Sequence, residues 1–265
     1  MNLTSGEKKG FEISRVISAS LIPGRRRPQK HQISVGDAIL IDLDEGILAV
    51  ADSPDKNPSA SSAFLARFGV SVSDSGILKS KDIPFGEAIE KIVELTNELL
   101  MATPYHDSTT FSAFIMGDGR DEEKAAILHT GDSLIFKITK DKNETCKVTQ
   151  LSRTNHFLVG RAPRLFQTEV LPFYPEDMIL LVTDGIWDIA RSFGLDTEKF
   201  LSDNIEDLNP HHILRDIEKL VDTVKISTDD IGIICAHPGL IDHAGAGLKR
   251  DDLSDSTHGR IILKG

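Results

Sequence analysis

The chain is poor in the residues that mark several common protein classes. It has only two cysteines, Cys146 and Cys235, far apart and each inside an apolar or strand-like run. Two such cysteines build neither a disulfide framework nor a zinc pattern, and they read as buried, reduced thiols. No run approaches the ~20 consecutive apolar residues of a spanning helix. Met1–Glu12 is polar and lacks the apolar stretch of a secretory signal. The expectation is therefore a cytoplasmic protein with no membrane partner. A Gly-rich nucleotide loop and a Gly-x-Ser-x-Gly elbow are both missing. Cationic excess is missing too: the formal net charge is −11 and the pI near 5.3. An acidic field of that size repels phosphate backbones, so nucleic acid is not an expected partner. Strict alternation of strand and helix is also absent, which argues against a doubly wound parallel sheet.

What is present is a 265-residue chain with 40% hydrophobic and 27% charged residues, enough for a sizeable core. Surplus carboxylates suit hard divalent cations, which prefer oxygen ligands. Residues 1–10 read as a loose tail and 11–238 as one domain. Residues 239–265, with Gly245-Ala246-Gly247 and a polar run, read as a weakly ordered or peripheral extension.

Short β-like runs dominate the domain. Ala38–Leu43 and Gly46–Ala51 flank Asp44-Glu45 and predict a hairpin. Phe111–Met116 and Ala125–Thr130 predict a second, and Ser133–Thr139 with Cys146–Leu151 a third. Met178–Thr183 and Ile231–Ala236 are apolar and β-branched, as central strands are. Apolar residues at 85, 89, 92, 93, 99 and 100 predict a helix over Phe85–Leu100. Asn209-Pro210 gives a cap and first-turn signal for a second helix, and Ser59–Phe68 is a shorter candidate. The fold class expected is α+β, an antiparallel β-sandwich flanked by helices. The helical stripes themselves need no explanation beyond core packing.

Four aspartates sit at strand edges. Asp52 ends Ile47–Ala51 and Asp184 ends Ile179–Thr183. Asp132 lies in the turn Gly131-Asp132-Ser133, and Asp229 precedes Ile231–Ile234. Any one of them taken alone more often makes a turn or caps a helix. Converging in a cleft, they would repel one another unless a cation neutralised them. The pair His211-His212 starts a helix and points two ways, a poor metal pair. Trp187 reads as core.

The words around these aspartates resemble the PPM, or type-2C, protein serine/threonine phosphatases. Gly46–Asp52 is similar to the family's first metal segment, and Asp107-Ser108-Thr109-Thr110 to its Gly-Thr-Thr segment. His129–Ser133 resembles its Gly-Asp-Ser turn. Thr183-Asp184-Gly185-Ile186-Trp187-Asp188 matches closely, and Ser227–Ile231 is similar to the segment before its last strand. These motifs run in family order over about residues 15–237. The resemblance implies a two-sheet sandwich with metals at one end. It also implies Mn²⁺- or Mg²⁺-dependent hydrolysis of phosphoserine and phosphothreonine, with a phosphorylated protein as partner. Asp52 would bridge two ions, the Ser53 carbonyl would stand where the family uses a glycine, and Asp184 and Asp229 would hold one ion. Asp132 would sit near a third, weaker position, and Arg27, in Gly24-Arg25-Arg26-Arg27, would grip the phosphate. For Arg25–Arg27 a solvated basic turn is an equal alternative.

The chain departs from the pattern in three places. His31 and Gln32 stand where the family has an acidic or amide–acid pair, which predicts a weak second metal. Ser53-Pro54-Asp55 replaces a glycine-rich loop, with Asp55 as a conceivable outer ligand. Asp230-Ile231-Gly232 replaces Asn-Ile/Val-Thr. These changes leave a rival reading open: a phosphatase-like binding or regulatory module with weak or no catalysis.

Overall fold

The computed structural model describes residues 9–13, 16–24, 35–54, 58–117, 124–141, 145–224, 228–240 and 260–264. Two six-stranded antiparallel sheets stack face to face. The first has the order β1 (Lys9–Ile13), β2 (Ile17–Ile22), β11 (Ile231–Ala236), β10 (Met178–Val182), β7 (Leu134–Lys140), β8 (Cys146–Gln150). The second runs β12 (Arg260–Lys264), β3 (Asp37–Asp42), β4 (Ile47–Asp52), β5 (Phe111–Met116), β6 (Lys124–Thr130), β9 (Gln167–Pro172). Helices α1 (Pro58–Ser75) and α2 (Phe85–Ala102) cover the outer face of the second sheet. Helices α3 (Gly185–Ser192), α4 (Thr197–Asn204) and α5 (Pro210–Thr223) cover the first. This is the α+β sandwich that the strand and helix patterns predict.

Three apolar layers result: one between the sheets and one beneath each helical layer. Because both faces of each central strand are covered, the strands read as unbroken apolar runs instead of alternating ones. Side-chain alternation still sorts them. In β4, Leu48 and Val50 enter the layer between the sheets, while Ile47, Ala49 and Ala51 face α1 and α2. In β3, Ile39 and Ile41 face the inter-sheet layer, and in β10 Ile179 and Leu181 do. Continuing that alternation by two residues places Asp37, Asp52 and Thr183 on the same inward face, at one end of the sandwich.

Antiparallel pairing brings the other motif turns to that end. Asp37 pairs with Asp52, Phe111 with Thr130, and Val182 with both Leu134 and Ile233. Seven strand ends therefore meet there, with the motif words beside them.

The helix signals hold, with longer bounds. Asn209 caps α5 by accepting from the His211 N–H at 3.0 Å. Helix α1 extends seven residues past Phe68, to Ser75, burying Val72 in line with Phe64, Leu65 and Phe68. Within the C-terminal extension, Arg260–Lys264 form an edge strand on β3, a pairing that the sequence pattern does not predict. An isolated five-residue segment carries no periodic signal strong enough to reveal a partner 218 residues away. Strand β9 escaped notice for a similar reason, since four of its six residues are exposed.

Candidate functional site

At the motif end, the Thr-Thr and Gly-Asp-Ser turns are locked to Asp52. The Asp52 N–H donates to Thr110 Oγ1 at 2.8 Å. Its carbonyl accepts from the Thr110 N–H at 2.7 Å and from Thr109 Oγ1 at 2.8 Å. Thr110 Oγ1 also lies 2.8 Å from Ser133 Oγ, so the Thr-Thr and Gly-Asp-Ser words form one interlocking corner. Gly131 takes φ +109°, and a Cβ there would lie 2.7 Å from the Thr110 side chain. Only glycine permits both that backbone angle and that approach.

The opposite wall is built by the Thr183–Asp188 word. Asp184 occupies the N-cap position of α3, yet its carboxylate makes no capping hydrogen bond. The ordinary structural use of an N-cap aspartate is thus not in force here. Gly185 passes so close to the last strand that a Cβ would meet the Asp230 carbonyl at 2.1 Å. Asp188 accepts the Asp229 N–H at 3.1 Å, fixing the turn that carries Asp229.

Asp230 has a different task. Its two carboxylate oxygens accept the N–H groups of Gly24 and Gly36, at 2.7 and 2.9 Å. It thereby ties down the two points where residues 25–34 leave and rejoin the described chain. Arg27, His31 and Gln32 fall in that stretch, and Asp55 in another, all outside the described residues.

One central acid escaped the sequence reading. Asp37 is 1% exposed and lies opposite Asp52 across the β3–β4 hairpin. Its carboxylate accepts from Thr183 Oγ1 at 2.8 Å, and Thr183 Oγ1 in turn accepts from the Gly232 N–H at 2.8 Å. Gly232, where the motif has Thr, leaves room for it: a Cβ would stand 3.4 Å from Asp37 Cβ. The signal was available. Counting back from the Asp44-Glu45 turn, with Asp42 opposite Ile47, puts Asp37 opposite Asp52. Asp37 thus adds a buried carboxylate beside Asp52 that the motif comparison did not name.

The electrostatics of the cluster are consistent. Burial raises the Asp37 and Asp52 carboxyls, and their contact favours charge on Asp37 and the proton on Asp52. Asp184 is pushed up to about 8, first by burial and then by Asp52, Asp132 and Asp229. Burial also raises Asp132, while His156 pulls it down. Asp52, Asp132, Asp184 and Asp229 are only partly covered and so reachable from solvent, with Asp37 behind them. Among the described residues no three His, Cys, Asp or Glu side chains are drawn together as a ready-made cation cage. The donor chemistry nevertheless fits a hard divalent cation: every donor is a carboxylate oxygen, and each destabilises the others as anions. A proton or a divalent cation can compensate them.

His129, in the strand leading to the Gly131 turn, is buried and its pKa is lowered to about 4 by burial. It bridges Ser112 Oγ, 2.8 Å away, and the Arg153 carbonyl, 3.1 Å away, so it acts as a neutral brace. Trp187 is only partly core. It packs against the helix-covered layer and also lines an open groove of about 550 Å³ with Leu134, Thr154, Arg191 and Glu198.

A β-sandwich of two antiparallel sheets with helices on both outer faces is the PPM-type, or type-2C-like, phosphatase fold. Residues 59–238 match the family model described as Stage II sporulation protein E (SpoIIE), and the chain belongs to that family. No curated protein matches the chain in sequence. Among solved structures, the serine/threonine phosphatase PstP/Ppp of Mycobacterium tuberculosis is 13% identical, with 84% of this chain and 98% of that chain covered and a TM-score of 0.57. The catalytic domain of a serine/threonine protein phosphatase PstP, in complex with two manganese ions, is 14% identical, with 84% of this chain and 98% of that chain covered and a TM-score of 0.54. The PPM Ser-Thr phosphatase MsPP of Mycobacterium smegmatis, in complex with cacodylate, is 15% identical, with 85% and 99% covered and a TM-score of 0.58. At such identities the likeness shows the fold.

Proposed function

We propose that the chain is a phosphoprotein phosphatase that hydrolyses phosphoserine and phosphothreonine with Mn²⁺ or Mg²⁺, working in the cytoplasm. The observation that carries this reading is the gathering of Asp37, Asp52, Asp132 and Asp184 at one end of the sandwich, with all four carboxyls raised. Perturbed acids in an open cleft are the mark of a working site more often than of a scaffold. The family and the manganese found in PstP point the same way.

In this reading Asp37, Asp52, Asp184 and Asp229 would hold the divalent ions, the Ser53 carbonyl would add a neutral oxygen, and Asp132 would stand near a further, weaker position. Bound divalent ions supply a water that ionises near neutral pH and positive charge for the phosphoryl oxygens. The protein's own part is to hold the ligands. Thr109, Thr110 and Ser133 clamp Asp52, Thr183 clamps Asp37, and Asp188 fixes the Asp229 turn. Arg27 takes the substrate phosphate through two parallel hydrogen bonds, on a segment whose two flanking glycines are bound by Asp230. Ser53 keeps its hydroxyl occupied in accepting the Ser61 N–H at 2.8 Å, which leaves its carbonyl for a ligand role.

The test is hydrolysis of p-nitrophenyl phosphate and of a phosphothreonine peptide with Mn²⁺ or Mg²⁺, wild type against Asp184→Asn. Metal-dependent turnover that disappears in the variant is expected. No turnover above the variant at millimolar Mn²⁺, in folded protein, would make the chain a phosphatase-like binding or regulatory module.

A further inference from the structure

The loop joining β8 to β9 has a composition unlike the rest of the chain. Residues 151–168 contain Arg153, Arg161, Arg164 and His156 and no Asp or Glu, in a protein whose net charge is −11. All four of these side chains are exposed. So are two phenylalanines of the same loop, Phe157 at 54% and Phe166 at 44%, which stack on each other with ring centroids 5.7 Å apart. Exposed large aromatics cost free energy in water and commonly mark a contact surface.

The loop is mounted rigidly beside the acidic cluster. Asn155 Oδ1 accepts both the Gly131 N–H and the Phe157 N–H, each at 3.0 Å, and Thr130 Oγ1 donates to the Phe157 carbonyl at 3.0 Å. Phe157 is thus fixed to the turn that carries Asp132, and His156 is near enough to lower the Asp132 pKa. Val159 bridges to Thr109, the Phe166 N–H donates to the His129 carbonyl at 3.0 Å, and the Leu165 N–H donates to Asn97 Oδ1 at 2.8 Å. Arg161 is oriented by Ser108 Oγ, 2.8 Å from its Nε, and by the Tyr105 ring, 4.5 Å from its Cζ. Gly160, at φ +75°, lets the loop pass close to Pro104, where a Cβ would meet the carbonyl oxygen at 2.7 Å.

We infer that this loop is a docking platform for an acidic polypeptide segment that carries the phosphorylated residue and, near it, an apolar side chain. The inference rests on the phosphatase reading for what the cluster does with the phosphate, but the platform itself is a binding surface. Complementarity of charge commits it to an acidic partner, because the arginines form a cationic island on an anionic molecule. The outer faces of the stacked rings provide the apolar anchor, and arginine with aromatic residues is the composition of contact hot spots. A polypeptide is favoured over nucleic acid because the neighbouring cluster repels a continuous phosphate backbone, while one phosphate set among carboxylates needs only a single compensated position.

The test measures binding by fluorescence anisotropy, with Mn²⁺ present. The probe is an acidic peptide bearing a non-hydrolysable phosphonate in place of phosphothreonine and a leucine two residues away. Arg153→Glu with Arg164→Glu is expected to weaken binding at least tenfold, and Arg153→Lys with Arg164→Lys to retain most of it. Phe157→Ala with Phe166→Ala is expected to weaken the leucine peptide about fivefold and to leave a glycine-substituted peptide unchanged. All four side-chain targets are exposed, and thermal melting confirms that each variant is folded. Affinities within twofold of wild type in both variants would overturn the platform. So would tighter binding of a single-stranded oligonucleotide or of phosphatidylglycerol vesicles through the same arginines. If the wild type binds the peptide as expected but hydrolyses no phosphoester, the phosphatase reading fails and the platform stands.

Discussion

Strand β3 begins with Asp37 and ends with Asp42, and both are 1% exposed. Their surroundings differ in one respect. Asp42 meets the Arg260 guanidinium, whose Nε lies 2.7 Å from its Oδ2 while the same side chain donates to the Gly69 carbonyl at 2.7 Å. Burial lifts the Asp42 pKa and the guanidinium pulls it part of the way back. Asp37 instead meets a second carboxyl, with Asp230 and Asp184 adding to its burden. A structural acid carries its counter-ion in the chain, whereas Asp37, at the other end of the strand, faces further carboxyls. That contrast, between two identical residues 5 positions apart in one strand, separates scaffold from site.

Charge removal at the two ends should therefore have opposite consequences. Asp37→Asn is expected to reduce Mn²⁺-dependent turnover by at least 100-fold while leaving the metal-free protein as stable at pH 8 as wild type, or more so. Asp42→Asn is expected to leave turnover within about threefold and to cost about 3 kcal/mol in urea unfolding, because Arg260 loses its buried partner. A variant at Asp42 that abolished turnover without loss of stability would erase the distinction.

The contrast also sets a pH dependence for the metal-free protein. A carboxyl whose pKa is higher in the folded state favours folding least at high pH. Below about pH 4 both states are protonated and the group contributes nothing. As pH rises through the unfolded value the penalty grows, and it levels off above the folded value, about 8 for Asp184. The melting temperature without metal is expected to fall by on the order of 5 °C between pH 5 and pH 8. Added Mn²⁺ should restore it at pH 8 and do little at pH 5. A melting temperature that is flat with pH and indifferent to Mn²⁺ would mean that these acids are compensated in some other way.

A smaller effect sharpens the picture of the corner that holds Asp52. Gly131→Ala is expected to destabilise the protein by about 2 kcal/mol, from the left-handed backbone and the 2.7 Å approach to Thr110. It should also weaken Mn²⁺ binding, measured by calorimetry, since Thr110 holds Asp52. Smallest of all is the thiol chemistry. Cys235 is buried, and burial pushes its thiol upward, so it is expected to resist a thiol reagent in the native protein and to react only on unfolding.

Much of this was open to reading in the chain. The hairpins, the central strands, the capped helix at Pro210 and the four strand-edge aspartates all follow from local pattern. The motif words around Asp52, Asp132, Asp184 and Asp229 proved to be interlocking parts: Thr109 and Thr110 clamp Asp52, and Asp188 holds the Asp229 turn. Asp37 was passed over because a Gly-Asp before a strand resembles an ordinary turn. Its importance lies in which residue faces it. Strand β12 was passed over because pairing with β3 is not a property of its own 5 residues.

The sequence alone determined the elements and the kind of site, because backbone periodicity and turn chemistry are local and a carboxylate is a carboxylate wherever it lies. Tertiary structure alone decided which acids confront one another and which are already paired. Burial, strand register and the Arg260–Asp42 contact join residues up to 218 positions apart. The strength of an electrostatic interaction depends on distance and on exclusion of water, and neither is written at any single position.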